Sequence, residues 1–289
     1  MIEFSNENII QSIKQVWKTC FGDSDAYIDL RFGAKYRHKN TLVYKENDTI
    51  VACLHMTPYL CTFYGKEIPI YYLEGLSTLP EWRGRGYMDK LIKKAHEVAA
   101  EREILLTVLI PAGPSLFPFY HKYGYTQISD NGTNDIGLKE LVDKASTIEH
   151  AYEIFETRYR SNDFCIQKSF DDFCTIMEEH AMEGYPPKFD LAAMGRIIDA
   201  RTLLDIFAHE NEQTSAVIQV EDKNLAINNG TFKVQNGKCT RTTDSSHIDL
   251  HIDISFLCRL LFGYHTDKLA SKYEEIFRPH HMTVNLLLE

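Results

Sequence analysis

Residues 71–125 decide the fold, and they begin with an apolar run, Tyr71-Tyr72-Leu73-Glu74-Gly75-Leu76-Ser77-Thr78-Leu79. Pro80-Glu81 breaks it, and a basic glycine turn follows, Trp82-Arg83-Gly84-Arg85-Gly86-Tyr87-Met88. Met88, Leu91, Ile92, Ala95, Val98 and Ala99 then recur at helical spacing. Ile104 to Ile110 is a second apolar strand, and Pro111-Ala112-Gly113-Pro114-Ser115 leads into Leu116-Phe117-Pro118-Phe119-Tyr120-His121-Lys122-Tyr123-Gly124-Tyr125. The order is strand, glycine turn, helix, strand. A helix N-terminus has unpaired N–H groups and a partial positive charge. Two glycines let an anion approach, and Arg83 and Arg85 add charge, so the turn has the composition of a phosphate cradle. It lacks the Lys-Ser/Thr pair of a P-loop and the full spacing of a dinucleotide fingerprint. The bland alternative is a solvated connection between two elements.

Arg83-x-x-Gly86 after a Pro-ended strand resembles the coenzyme A-binding motif of the GNAT acetyltransferases, Arg/Gln-x-x-Gly-x-Gly/Ala, with Met88 at the last position as a departure. Phe119-Tyr120-x-x-Tyr123-Gly124-Tyr125 resembles the aromatic-glycine segment that closes that fold. Upstream, residues 6–22 and Asp25 to Tyr36 read as helices. Thr41 to Tyr44, Ile50 to Tyr59 and Ile68 to Tyr72 read as strands. Two helices, a meander and strand-turn-helix-strand follow the GNAT order over residues 1–140. The expected class is α/β (α+β): a mixed sheet flanked by helices, with a further α+β domain behind it.

After Ile128 the texture changes. Ser129-Asp130-Asn131-Gly132-Thr133-Asn134-Asp135 is a turn-rich boundary. Leu138 to Tyr159 and Ser169 to Met182 read as helices, the second opened by Ser169 with acidic residues in its first turn. Further on, Met194 to Asp199 precedes a helix through Leu203, Leu204 and Phe207. Ser215 to Glu221, Leu225 to Asn228, Gly230 to Gln235 and Ile248 to Ile254 read as strands, and Phe256 to Phe262 as a helix. Three pieces resemble the sterol-carrier-like C-terminal domain of the Eis (enhanced intracellular survival) branch of GNAT enzymes. They are Arg196-Ile197-Ile198-Asp199, Asp222 with Asn229-Gly230-Thr231-Phe232, and Asp249-Leu250-His251-Ile252-Asp253 with Leu257-x-x-Leu260-x-x-Gly263. Eis-type chains carry a second GNAT-like domain in the middle, for which this chain has too few residues. The expected division is a GNAT domain at 1–140, a helical connector at 141–189 and a sterol-carrier-like domain at 190–289.

The 289 residues can bury a full core. The net charge of −10 argues against nucleic acid or an anionic membrane as partner, and it suits a cationic acceptor. Seven scattered cysteines, without C-x-x-C spacing, read as reduced thiols in a cytoplasmic protein. Cys53 and Cys61 are read as packing. No signal peptide or membrane span is legible, and no histidine spacing suggests a metal. Oligomeric state is left open, a homo-oligomer included.

The resemblance implies acetyl transfer from acetyl-coenzyme A (acetyl-CoA) to a primary amine on a small or peptidic molecule. The amine attacks directly in a ternary complex. An alkylammonium has a pKa near ~10 and must lose a proton; the departing thiolate, pKa ~8.5, benefits from a donor. The backbone from Gly84 to Met88, through Gly86 and Tyr87, would hold the phosphates with Arg83 and Arg85. Leu76, Ser77 and Thr78, on a strand that splays from its neighbour in GNAT folds, would pair with the pantetheine and polarise the carbonyl. Tyr120 stands where the family keeps a proton-donating tyrosine; its bland role is core packing. Ser115 opens the same helix, where capping is its ordinary role and contact with the coenzyme its alternative. Two carboxylates are candidates for the base: Glu74, on the strand, and the terminal carboxylate of Glu289, after the apolar Leu286-Leu287-Leu288. Two rival readings are a catalytically degenerate coenzyme A- or lipid-binding module, and an enzyme using another acyl donor.

Overall fold

A computed structural model describes residues 1–132, 137–160, 162–243, 247–285 and 287. The chain opens with β1 (Ile2–Phe4), α1 (Ile10–Phe21) and α2 (Asp25–Ala34), followed by β2 (Thr41–Glu46), β3 (Thr49–Phe63) and β4 (Lys66–Thr78). Next come α3 (Tyr87–Glu101), β5 (Leu106–Leu109), α4 (Phe117–His121) and β6 (Thr126–Gln127). The middle region holds α5 (Leu138–Lys144), α6 (Ile148–Tyr159), β7 (Ile166–Gln167) and α7 (Phe170–Met182). The last part contains β8 (Met194–Ile197), α8 (Ala200–Glu210), β9 (Ala216–Glu221), β10 (Gly230–Gln235), β11 (Lys238–Thr242), β12 (Leu250–Asp253), α9 (Ile254–Leu261) and α10 (Ser271–Glu274).

The larger sheet has the order β1-β2-β3-β4-β5-β8-β6, with β7 against β3. Its pairs are antiparallel except β4–β5, which α3 connects as a parallel crossover. The smaller sheet is β11-β10-β9-β12. Met194–Ile197, which opens the segment expected as the C-terminal domain, is an inner strand of the larger sheet, between β5 and β6.

Local chemistry explains the elements. The apolar positions of α3 that repeat at helical spacing, Leu91, Ile92 and Ala95, have no exposed surface. They pack on Leu54, Met56, Tyr71 and Leu73 of the β3–β4 hairpin. Each large side chain buried there stabilises by roughly 1.5–3 kcal/mol. On the opposite face, Ile13, Trp17, Ile28 and Phe32 from α1 and α2 cover Val43 and Cys53. Further along, Phe63, Ile68 and Ile70 pack with Leu203, Leu204 and Phe207 of α8. Cys53 and Cys61 lie fully buried in these cores. The middle helices hold their own small core around Phe155, Phe173 and Ile176.

Three local expectations need correction. The long strand reading of 71–79 and the short one of 68–72 are one strand, β4. The helix expected over 138–159 is two, because Ala145 is extended and Thr147 caps the second through His150 N at 3.2 Å. Leu225 to Asn228 is not a strand but a 3-10 turn over Ala226–Asn228. Asp222 draws Asn224 N, Leu225 N and Asn228 Nδ2 to its carboxylate at 2.9, 3.1 and 2.8 Å and curls the chain around itself. Met194 to Ile197, ahead of α8, is β8. The proposed boundary turn at 129–135 lies partly outside the described residues; Ser129 within it is buried, its hydroxyl on Leu191 O at 2.6 Å.

Candidate active site

The parallel pair β4–β5 parts where the site is expected. Ile70, Tyr71 and Tyr72 pair with Leu106, Thr107 and Val108. Beyond Tyr72, β4 runs on to Thr78 with no strand partner on that side among the described residues. On its other side the register with β3 shifts, so that His55 pairs with Glu74 and Cys53 with Ser77. Leu54 therefore opposes both Gly75 and Leu76, which is a bulge that re-aims the strand end. Gly75 sits at φ +57°, and a Cβ there would come within 2.2 Å of Trp17 Cζ3. Only glycine serves both the backbone angle and the contact.

The turn after β4 is exposed. Gly84 and Gly86 are left-handed, at φ +76° and +75°, and a Cβ on either would meet nothing within 4 Å. Gly86 precedes α3 without a side-chain cap, so the first amides of the helix are unclaimed by a cap. Arg83 Nε donates to Thr78 O at 3.0 Å. Arg85 donates through an Nη to Glu81 O at 3.1 Å and lies 4.5 Å over the Trp82 ring. Each arginine holds the loop with part of its guanidinium. Tyr87 is buried and stacks on Tyr44 at 4.3 Å, and Met88 packs on the apolar cluster beneath α3. What these two residues can offer an anion is backbone.

Leu109 and Tyr120 belong to one apolar cluster, and Leu76 and Met88 pack against it; the cluster draws on β4, β5, α3 and α4. Tyr120 is 8% exposed, with Phe119 and Tyr125 rings at 5.1 and 6.0 Å. Its hydroxyl has no hydrogen-bond partner among the described residues, in contrast to Tyr125, whose hydroxyl lies 2.8 Å from Thr107 Oγ1 and 3.1 Å from His96 Nε2. Burial pushes the Tyr120 phenol up to about 12. It is therefore protonated at neutral pH. Ser115 does not cap: it is exposed in the 3-10 turn Pro114–Leu116, and neither this turn nor α4 has a side-chain cap.

Ser77 and Glu74 face other neighbours. Ser77 Oγ is buried 3.1 Å from Cys53 Sγ. Glu74, 7% exposed, is ion-paired with Arg31 and accepts from Thr57 Oγ1. Arg31 is itself buried and lies 5.0 Å over Trp17. Both Glu74 oxygens thus have partners. Neither Arg31 nor Thr57 was legible as a site residue, because their contacts join α2, β3 and β4. His55 is buried beside them. Its Nδ1 lies 3.0 Å from Thr41 Oγ1, and its Nε2 has no partner; burial, then the Arg31 charge, lowers its pKa to about 3. Glu289 lies outside the described residues. Leu287, two residues before it, is 3% exposed and lines a cleft with Ile176 and Glu179 of α7. Among the described residues, no group of three or more His, Cys, Asp or Glu could hold a metal ion. No helix among them is long and apolar enough to cross a membrane.

Two sequence families match this chain: "Acetyltransferase (GNAT) domain" over residues 2–128 and "Sterol carrier protein domain" over residues 194–282. The chain thus carries a GNAT acetyltransferase domain over residues 2–128 and a sterol carrier protein domain over residues 194–282. Among solved structures, a probable N-acyltransferase from Enterococcus faecalis V583 superposes with a TM-score of 0.73 at 15% identity, covering 95% of this chain and 92% of that one. Eis1 from Mycobacterium abscessus gives 0.62 at 14% identity over 92% and 90% of the two chains. A GCN5-related N-acetyltransferase from Anabaena variabilis gives 0.66 at 16% identity over 98% of each. The chain shares the fold of all three. No curated protein sequence matches it.

Proposed function

We propose that the protein transfers acetyl from acetyl-CoA to a primary amine by direct attack in a ternary complex, with no acyl-enzyme intermediate. The observation that carries this reading is the parting of β4 from β5 beyond Tyr72, with an uncapped helix and two unobstructed glycines beside it. The turn from Arg83 to Met88 fits a diphosphate: amides and arginines supply the charge, and no side chain at Gly84 or Gly86 stands in the way. Backbone N–H groups near Leu76, on the edge of β4 that β5 has left, would polarise the thioester carbonyl. Tyr120 would protonate the departing thiolate. For the base, the two partners of Glu74 favour the terminal carboxylate of Glu289, since Glu74 would have to break the Arg31 or Thr57 contact first. The burial of Leu287 supports a docked tail.

The acceptor is a small or peptidic amine, drawn at long range by the acidic protein. A cytoplasmic setting is supported by the seven cysteines, all free thiols. The test is thiol release from acetyl-CoA in the presence of mixed polyamines, amino acids and aminoglycosides, repeated with Gly86→Glu. Amine-dependent release that Gly86→Glu abolishes supports the reading. Thermal stabilisation by the coenzyme without turnover for any amine supports a binding module instead.

A further inference from the structure

A cleft of about 880 Å³ opens along the free edge of β3, where β2 has ended its pairing at His55 and β7 has not begun at Leu60. Lys168, Lys35, Tyr59, Thr57 and Ile70 line it. Lys168 is 6% exposed. One of its three donors goes to Ile166 O at 2.7 Å, and no described carboxylate forms an ion pair with it. Its ammonium lies 5.6 Å from the Tyr59 ring centroid, and that of Lys35 lies 4.7 Å from the same centroid. A buried cation without a counter-ion is costly to keep. None of the carboxylates around it is an ion-pair partner: Asp172 is taken by Lys35 and Ser169, Glu67 faces Arg160 at 3.6 Å, Asp171 is exposed, and Asp190, whose charge acts on Lys168 from a distance, accepts from Asn285 Nδ2 at 2.9 Å and lies 3.7 Å from His281 Nε2. Burial lowers both lysines to about 8.

The cleft also adjoins one of the two candidate bases, Glu74, through Thr57. Thr57 lines it and donates to Glu74, and Ile70 lines it and pairs with Leu106 just before β4 and β5 part. Thr57 and Tyr59 share a face of β3, about 7 Å apart by strand rise. A molecule with an anionic group over Tyr59 therefore extends a short carbon chain toward Thr57 and Glu74.

Resting on the acetyltransferase reading, we propose that this cleft is the acceptor site and that Lys168 binds a carboxylate of the acceptor, which makes the substrate class a small amino acid-type amine, not a simple polyamine. Tyr59 and Lys35 form the wall of the subsite. Residues 166–168 come from the middle region, which gives that region a role in substrate choice.

The test is binding, so it does not depend on turnover. The full chain, saturated with coenzyme A at fixed ionic strength, is titrated by calorimetry with γ-aminobutyrate against γ-aminobutyramide, and lysine against lysinamide. The protein's negative charge favours the amides, so a carboxylate preference must come from a local site. The expected preference is roughly 10- to 100-fold for the carboxylates, as for a hydrogen bond to a charged group. It falls to about one in Lys168→Met and returns in part in Lys168→Arg, with coenzyme affinity unchanged in both. Equal wild-type affinity for carboxylate and amide overturns the proposal whether or not the variants fold. Inorganic phosphate binding as tightly as γ-aminobutyrate overturns the acceptor assignment in favour of a free-anion site. Carboxylate preference without thiol release leaves the subsite standing and removes the acetyltransferase reading.

Discussion

Arg196 grips both carboxylate oxygens of Asp222, at 2.9 and 2.7 Å, and neither side chain has any exposed surface. Arg196 Nε also donates to Tyr123 O at 3.0 Å. One guanidinium thus ties the aromatic-glycine segment after α4 to the C-terminal sheet. Asn228, which donates to Asp222, also accepts from Ala200 N at 2.9 Å and holds the start of α8. This link joins residues from both of the segments that resemble a family signature.

Removing one partner leaves a buried charge without compensation. Arg196→Met should cost about 3–5 kcal/mol, read as a lower urea midpoint. Adding Asp222→Leu should recover part of it. A single variant with wild-type stability would show that the pair does not hold the two parts together.

Tyr120→Phe keeps the ring in its cluster and removes only the proton donor. We expect kcat to fall by about 100-fold, with coenzyme A affinity within twofold of wild type. Because the phenol titrates at about 12, the wild-type rate should show no loss attributable to Tyr120 up to pH 10. Unchanged kcat in the variant would reduce Tyr120 to packing.

The two carboxylates separate by what each variant damages. Glu74→Gln breaks the Arg31 ion pair and should lower Tm more than it lowers kcat per folded molecule. Deleting residues 286–289 should lower kcat with coenzyme affinity retained. The opposite pattern assigns proton removal to Glu74.

His55 gives a pH dependence with a definite sign. Its folded pKa, about 3, lies below the unfolded value near ~6.5, so the unfolded chain binds more protons between them. The contribution to stability is complete above pH 6.5 and is lost as pH falls toward 3. From pH 7 to pH 5 this one group should account for about 2 kcal/mol. His55→Leu should lose correspondingly less stability than wild type over that interval in urea titrations. An identical slope for both proteins would remove His55 as a source of acid sensitivity.

Much of the architecture was legible because its signals are local. Pro80, Gly84 and Gly86 punctuate the chain, and the α3 apolar positions repeat at helical spacing. Ser169 with Asp172 forms the capping box that its sequence suggests. The isolated Gly75 within an apolar strand is a bulge signal in the sequence itself. Asn236-Gly237, between β10 and β11, was likewise a hairpin turn available to the eye. Other features were not legible in principle. Four residues such as Met194–Ile197 are too few for periodicity, and their place in the larger sheet is set by β5 and β6. Arg31, Thr57 and Lys168 look like ordinary helix, strand and loop residues. Their importance comes from partners on other elements, brought together only by folding.

The central claim is that the turn from Arg83 to Met88 and the gap beyond Tyr72 receive acetyl-CoA. Its most direct test is a crystal structure with the coenzyme bound. The account predicts the diphosphate on the amides of Gly84 to Met88, the thioester at Leu76, and the Tyr120 hydroxyl within hydrogen-bond reach of the sulfur. A coenzyme bound elsewhere, with that turn empty and the hydroxyl remote from sulfur, would contradict it.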